Sequence, residues 1–245
     1  EAVDIMRGVV GESVHVSVLR DKEILEFDIV RAVVHVNRVS SKMLDSDVGY
    51  IQLYEFAGDC AVSFKQHLDA LLAQGMKALI FDLRDNPGGW VQDAVDIAGN
   101  FIDGDVVTYL EDKSGYQEFY NASDGKIELP IVILVNEYSA SSSEILSGAL
   151  QDYGLAKVVG VQSFGKGVVQ SVIALDPYDE NTDGMQVTSA QYYTPNGNSL
   201  HKVGITPDVV VEMPEDQKNE VFQFGDLTDT QLAEAYRVAL EQLGE

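Results

Sequence analysis

Short apolar runs alternating with stretches of helical period limit most what this chain can fold into. Ala78-Leu79-Ile80-Phe81-Asp82-Leu83 reads as a short buried strand. Ahead of it, Ala61, Phe64, Leu68, Leu71 and Leu72 fall on one face of a helix over 61–74, with Gly75 where a C-terminal cap belongs. Behind it, Val91, Ala94, Val95, Ala98, Phe101 and Ile102 mark another helix. Ile131 to Val135 is a second buried strand that runs into the helical stretch Ile145 to Leu150, and Lys157 to Val161 is a third. Val33 to Val36 and Gly49 to Leu53 read as strands around a polar loop. Val106 to Leu110, Val168 to Leu175 and Met185 to Tyr193 read as later strands, with a hairpin-like excursion over 111–126. Thr228 and Gln231 have capping-box spacing ahead of a closing helix. This alternation predicts an α/β fold.

The first thirty residues obey another pattern. Ser13 to Val18 alternates strictly and Ile24 to Val30 nearly so, which predicts a β-hairpin. So short a piece cannot hold a core of its own. Residues 1–32 are therefore read as a remnant of a larger module or as packed on the rest of the chain, and 33–245 as the main domain.

The 245 residues suffice for one substantial core, and the net charge of -24 argues against nucleic acid or an anionic membrane surface as the main partner. No apolar run approaches the ~20 residues needed to cross a bilayer. A lone cysteine, Cys60, excludes an intramolecular disulfide and a thiolate metal site, and is read as a small buried residue. The acidic loop Asp176 to Gly184 lacks the ligand spacing of a calcium site.

Ser139-Ala140-Ser141-Ser142-Ser143-Glu144 lies where the strand from Ile131 meets its helix. Such a junction lifts one hydroxyl to the end of a sheet and aims backbone N–H groups, backed by the helix dipole, at whatever sits there. That suits a nucleophile, but a serine needs a base. His15, His35, His67 and His201 all read as structural or exposed, and no G-x-S-x-G elbow exists. Lys166, between Gly165 and Gly167 behind an apolar strand, is the best-placed alternative. Its pKa must fall from ~10.4 to about 7, roughly 4 kcal/mol, which predicts an amine enclosed by backbone and kept dry. Two rival motifs share this lysine: a P-loop over 160–166, and an S-x-x-K signature starting at Ser163. Both need a helix, whereas Val168 onward alternates like a strand.

Four motifs in order carry a resemblance: Asp82-Leu83-Arg84-Asp85-Asn86-Pro87-Gly88-Gly89, Ser139 to Ile145, Phe164 to Gln170, and Tyr193 to Gly197 continuing through Gly204-Ile205-Thr206-Pro207-Asp208. Over about Val33 to Glu245 the chain resembles the carboxyl-terminal processing (tail-specific) serine proteases. The resemblance implies a ClpP/crotonase-like core of strand-strand-helix units and a Ser/Lys endopeptidase that cleaves proteins near their C-termini. Ser141 corresponds to the nucleophile, Lys166 to the general base and Gln170 to the residue orienting the amine. Gly88 and Ser142 correspond to the oxyanion-hole donors. Ser142 stands where alanine is common, but only its backbone is required. Trp90 replaces a smaller aliphatic residue and is expected to narrow or cap the groove, and Asp152 is read as structural. The opening hairpin resembles the end of the PDZ domain of these proteases. No cofactor or metal is implied. The implied partners are protein or peptide substrates recognised near the C-terminus, with homo-oligomers left open, and the implied location is extracytoplasmic, with any membrane anchor outside this chain. A catalytically silent ligand- or peptide-binding member of the same fold is the alternative.

Overall fold

The computed structural model describes residues 2–34, 36–123, 125, 127–176, 183–218 and 220–244. His35 and most of the acidic loop lie outside the described residues. The chain divides into two compact units, Glu1–Asn37 and Arg38–Glu245. In the first, helix α1 (Ala2–Met6) precedes strands β1 (Ser13–Arg20) and β2 (Glu23–Val30), which pair antiparallel around Asp21 and Lys22. The Arg31 guanidinium gathers the carbonyls of Ile5, Met6 and Ser13, and His15 bridges Asp28 and Glu26 across the hairpin.

The second unit is a mixed α/β fold. It begins with β3 (Val39–Met43), β4 (Val48–Leu53), helix α2 (Cys60–Ala73), β5 (Ala78–Asp82) and α3 (Val91–Ala98). Next come β6 (Val106–Asp112), β7 (Gln117–Asn121), β8 (Ile131–Val135), α4 (Ser142–Asp152) and β9 (Ala156–Gly160). The chain closes with β10 (Val168–Ala174), β11 (Gly184–Tyr193), β12 (Val209–Val210) and α5 (Thr230–Leu243). The main sheet has the order β12-β9-β8-β5-β4-β3, parallel throughout except for β3. A second, antiparallel sheet has the order β10-β11-β6-β7.

Alternate residues of each central strand enter two separate cores. Leu79, Phe81, Ile131 and Ile133 face helices α2, α3 and α4, where Phe64 and Leu146 meet them. Ile80, Val132 and Leu134 face α5 through Leu232, Ala235 and Val238. Because both faces are covered, these strands read as continuous apolar runs rather than alternating ones.

Two sequence expectations are corrected. Val33 to Val36 does not form a strand among its described residues, and Val33 and Val34 are 68% and 78% exposed. The strand beside β4 is instead β3, whose polar Ser40, Ser41 and Lys42 suit an edge with one wet side. At α5 the cap is Asp229, not Thr228: its carboxylate accepts from the N–H groups of Gln231 and Leu232 at 2.9 and 3.1 Å. The same carboxylate lies 2.8 Å from Arg84, which also forks onto the fully buried Asp82. Tyr50 donates to Asp82 at 2.7 Å, and burial followed by that carboxylate pushes its phenol pKa well above the usual value.

Cys60 is buried beside Asp93, and burial, reinforced by that carboxylate, pushes its thiol up to about 12. At pH 8 only about one thiol in ten thousand is then ionised. Iodoacetamide should leave the native protein unmodified and alkylate it stoichiometrically once unfolded; rapid native modification, read by intact mass, would contradict the burial.

Candidate active site

Strand β8 ends at Val135, and the turn after it is built from its own small polar groups. Ser139 Oγ donates to Leu83 O at 2.7 Å and accepts from Asn136 N at 2.9 Å. Ser143 Oγ donates to Asn86 O, Ser142 Oγ to Gly89 O, and Ala140 N to Asn86 O. The run of serines thus fastens the loop after β8 to the loop after β5, where larger side chains would hold the two apart.

Ser141 is the N-cap of α4, 9% exposed, with φ 57° and ψ -115°. A β-carbon makes that backbone conformation costly, by about 1–3 kcal/mol. What holds it is Glu144, three residues on and fully buried. Glu144 Oε2 accepts from Ser141 N at 2.8 Å and from Lys166 N at 2.9 Å. Oε1 accepts from Ser163 Oγ and from Gly165 N, both at 2.6 Å. Four donors fill the acceptor positions of one carboxylate. Because one oxygen takes both amides, the backbone nitrogens of Ser141 and Lys166 lie within about 6 Å of each other.

Gly88 (φ 94°) completes the approach from the other loop. A Cβ placed on it would fall 2.6 Å from Ala140 O, 2.8 Å from Ser141 Cβ and 2.9 Å from Ser142 N, so no other residue fits. Gly88 and Ser142, expected as oxyanion donors, are therefore neighbours beside Ser141. Ser142 N–H belongs to the first turn of α4, whose amides have no partner within the helix. The Gly88 N–H is engaged in this state, donating to Asn86 Oδ1 at 2.9 Å, while the fully buried Asn86 is held through Leu53 O.

Lys166 departs from expectation. Gly165 and Gly167 are buried, and a Cβ on Gly167 would meet His201 N at 2.2 Å. The glycines enclose the main chain, however, and the lysine side chain between them is exposed. The expected dry amine is thus corrected to a solvated one on a buried backbone. Gln170 is also exposed, and its amide oxygen accepts from Gln186 Nε2 at 3.1 Å across the β10–β11 hairpin. Of the five expected residues, the structure gathers Ser141, Ser142, Gly88 and the main chain of Lys166, but leaves Gln170 on the adjoining hairpin.

Both rival motifs fail on geometry. Residues 162–167 form no helix, and the chain passes directly into β10. Ser163 is 6% exposed, and its hydroxyl is engaged by Glu144 and by Ile205 N at 2.6 Å, which makes it a strut between loops. Asp152 accepts from Asn196 N at 2.9 Å, tying the end of α4 to the turn after β11, in keeping with a structural role. Glu144 was missed as a functional residue. Its signal was the S-x-x-E spacing from Ser141, the capping-box pattern.

Fold and site together define a class: an α/β core that presents a serine, a glycine loop and a lysine loop at the carboxyl ends of parallel strands. The chain belongs to peptidase family S41, whose model matches residues 47–211. It is 38% identical over 228 residues to a carboxy-terminal-processing protease of Bartonella bacilliformis, a match covering 89% of this chain and 51% of that protein. It is 39% identical over 194 residues to a carboxyl-terminal-processing protease of Synechocystis sp., covering 77% of this chain and 44% of that one. Among solved structures it is similar to a photosystem II D1 C-terminal processing protease, with a TM-score of 0.66 and 29% identity over 84% of this chain and 57% of that one. The chain spans about half the length of the curated relatives it matches. Among the described residues no helix is long and apolar enough to cross a membrane, and no cluster of metal-ligating side chains occurs.

Proposed function

We propose that this chain carries the catalytic core of a serine endopeptidase of the Ser/Lys type, acting on protein substrates near their C-termini. The observation that supports it is the shared carboxylate of Glu144, which holds the Ser141 turn and the Lys166 loop side by side. The lysine's four-carbon stem is long enough to swing its amine from solvent onto the Ser141 hydroxyl. Substrate lying over the loops then supplies the desolvation that favours the neutral amine. Ser141 Oγ attacks the peptide carbonyl carbon as its proton passes to Lys166 Nζ, and the oxyanion is met by the N–H groups of Ser142 and Gly88. For that the Gly88 N–H must turn from Asn86 Oδ1 or share itself. The tetrahedral intermediate collapses as Lys166 gives the proton to the leaving nitrogen; water, deprotonated by the same amine, then attacks the acyl carbon, and Lys166 returns that proton to Ser141 Oγ as the C–O bond to the acyl group breaks. Gln170 is assigned to steadying the swung amine.

The solvated Lys166 amine favours a second reading, a catalytically silent binder. A fluorophosphonate probe separates the two. The intact chain should label, Ser141→Ala should not, and Ser163→Ala should still label; an intact chain that does not react supports the silent binder, and labelling lost only in Ser163→Ala means the nucleophile is misassigned. The same reading takes 1–32 as the C-terminal part of a PDZ domain ahead of a 33–245 protease core, in an extracytoplasmic protein.

A further inference from the structure

Two large aromatic side chains next to the site are left in water: Trp90 is 62% exposed and Phe164 is 64% exposed. Each sits on backbone fixed to the nucleophile turn. Trp90 comes directly after Gly89, whose carbonyl accepts from Ser142 Oγ at 2.9 Å, and its own N–H is held by Phe56 O at 2.8 Å. Phe164 donates its N–H to Ser139 O at 3.0 Å. In the sheet, β8 lies between β5 and β9, and all three run parallel, so the loops after them emerge at one edge. The loop bearing Trp90 and the loop bearing Phe164 therefore flank the Ser141 loop on opposite sides. Exposed Trp and Phe on a hydrogen-bonded, rigid backbone are the usual means of gripping an apolar partner side chain.

We infer that Trp90 and Phe164 set substrate specificity, receiving apolar side chains on either side of the bond that is cut. The inference rests on the Ser141/Lys166 reading, which also assigns the sides. The leaving nitrogen takes its proton from Lys166 and so must lie toward the lysine loop, two residues from Phe164. Phe164 thus faces the residue after the scissile bond, and Trp90 the residue before it. The substrate class is an extended chain segment with apolar residues at both positions.

The test is cleavage of an unstructured peptide library by the intact chain and by Trp90→Ala and Phe164→Ala, with cut sites read by mass spectrometry. Intact protein should prefer Leu over Ala at both positions. Trp90→Ala should lower that preference roughly tenfold at the preceding position alone, and Phe164→Ala at the succeeding position alone, the scale of discrimination an apolar contact supplies. Trp90→Phe should restore most of the preceding-position preference. Both aromatic residues are mostly exposed, so truncation opens no core; fluorophosphonate labelling of Ser141 in each variant confirms an assembled site. Labelled variants whose preferences are unchanged, or that lose all cleavages evenly, overturn the inference while leaving the protease reading intact. An intact chain that neither labels nor cleaves overturns both.

Discussion

Lys166→Ala should lower peptide cleavage by about 10²–10⁴-fold, the contribution typical of a positioned general base. Lys166→Arg should be equally impaired. A guanidinium keeps the length and charge but does not give up its proton near neutral pH, so it can neither accept from Ser141 nor complete the cycle. The pair of variants therefore distinguishes proton transfer from simple charge. Steady-state cleavage of a quenched-fluorescence peptide provides the measurement, with circular dichroism to confirm folding. Since the side chain is exposed and its backbone N–H to Glu144 is unaltered by substitution, stability should scarcely move. Arginine retaining more than about a tenth of the activity would remove Lys166 from the base role, because no general base contributes so little.

Glu144→Gln should cost about 3–5 kcal/mol of stability and about 10²-fold in activity. All four groups around this carboxylate are donors, from Ser141, Ser163, Gly165 and Lys166. A glutamine keeps one acceptor oxygen and turns an NH₂ group on the remaining donors. Buried donors left facing another donor cost about 1–3 kcal/mol each. The loss in rate comes from geometry, since a shift of about 1 Å between reacting groups can cost that factor. Urea unfolding and peptide kinetics test both halves. A variant as stable as the parent would mean that the carboxylate is not what joins the two loops, and the Ser141/Lys166 pairing would lose its main support.

The buried layers were readable because they obey one rule. In β5 and β8 every residue is apolar or anchored, as a sheet covered on both faces requires. Edges were harder. β3 is written in Ser40, Ser41 and Lys42, while the valines before it that resemble a strand are exposed; apolar alternation records propensity, and only packing decides burial. At the site, Ser141 could be located from a strand entering a helix through small hydroxyls. The environment of Lys166 could not, because flanking glycines tell of a backbone closely packed and say nothing of where the intervening amine points. Glu144 depends on loops about twenty residues further along the chain, and local spacing disclosed only its bond to Ser141. The engagement of the Gly88 amide by Asn86 is equally invisible in a motif, which specifies residue types and not which proton faces which oxygen.

Arg84 and Asp229 bear on where this molecule can be cut. The family match stops at residue 211, yet Asp229 both starts α5 and supplies half of the countercharge for an arginine in the turn between β5 and Gly88. A fragment trimmed to the matched residues would bare Ile80, Val132 and Leu134 to water and leave that guanidinium with Asp82 alone. The last helix is in this sense a wall of the domain, its inner side running from Leu232 through Ala235 and Val238 to Ala239.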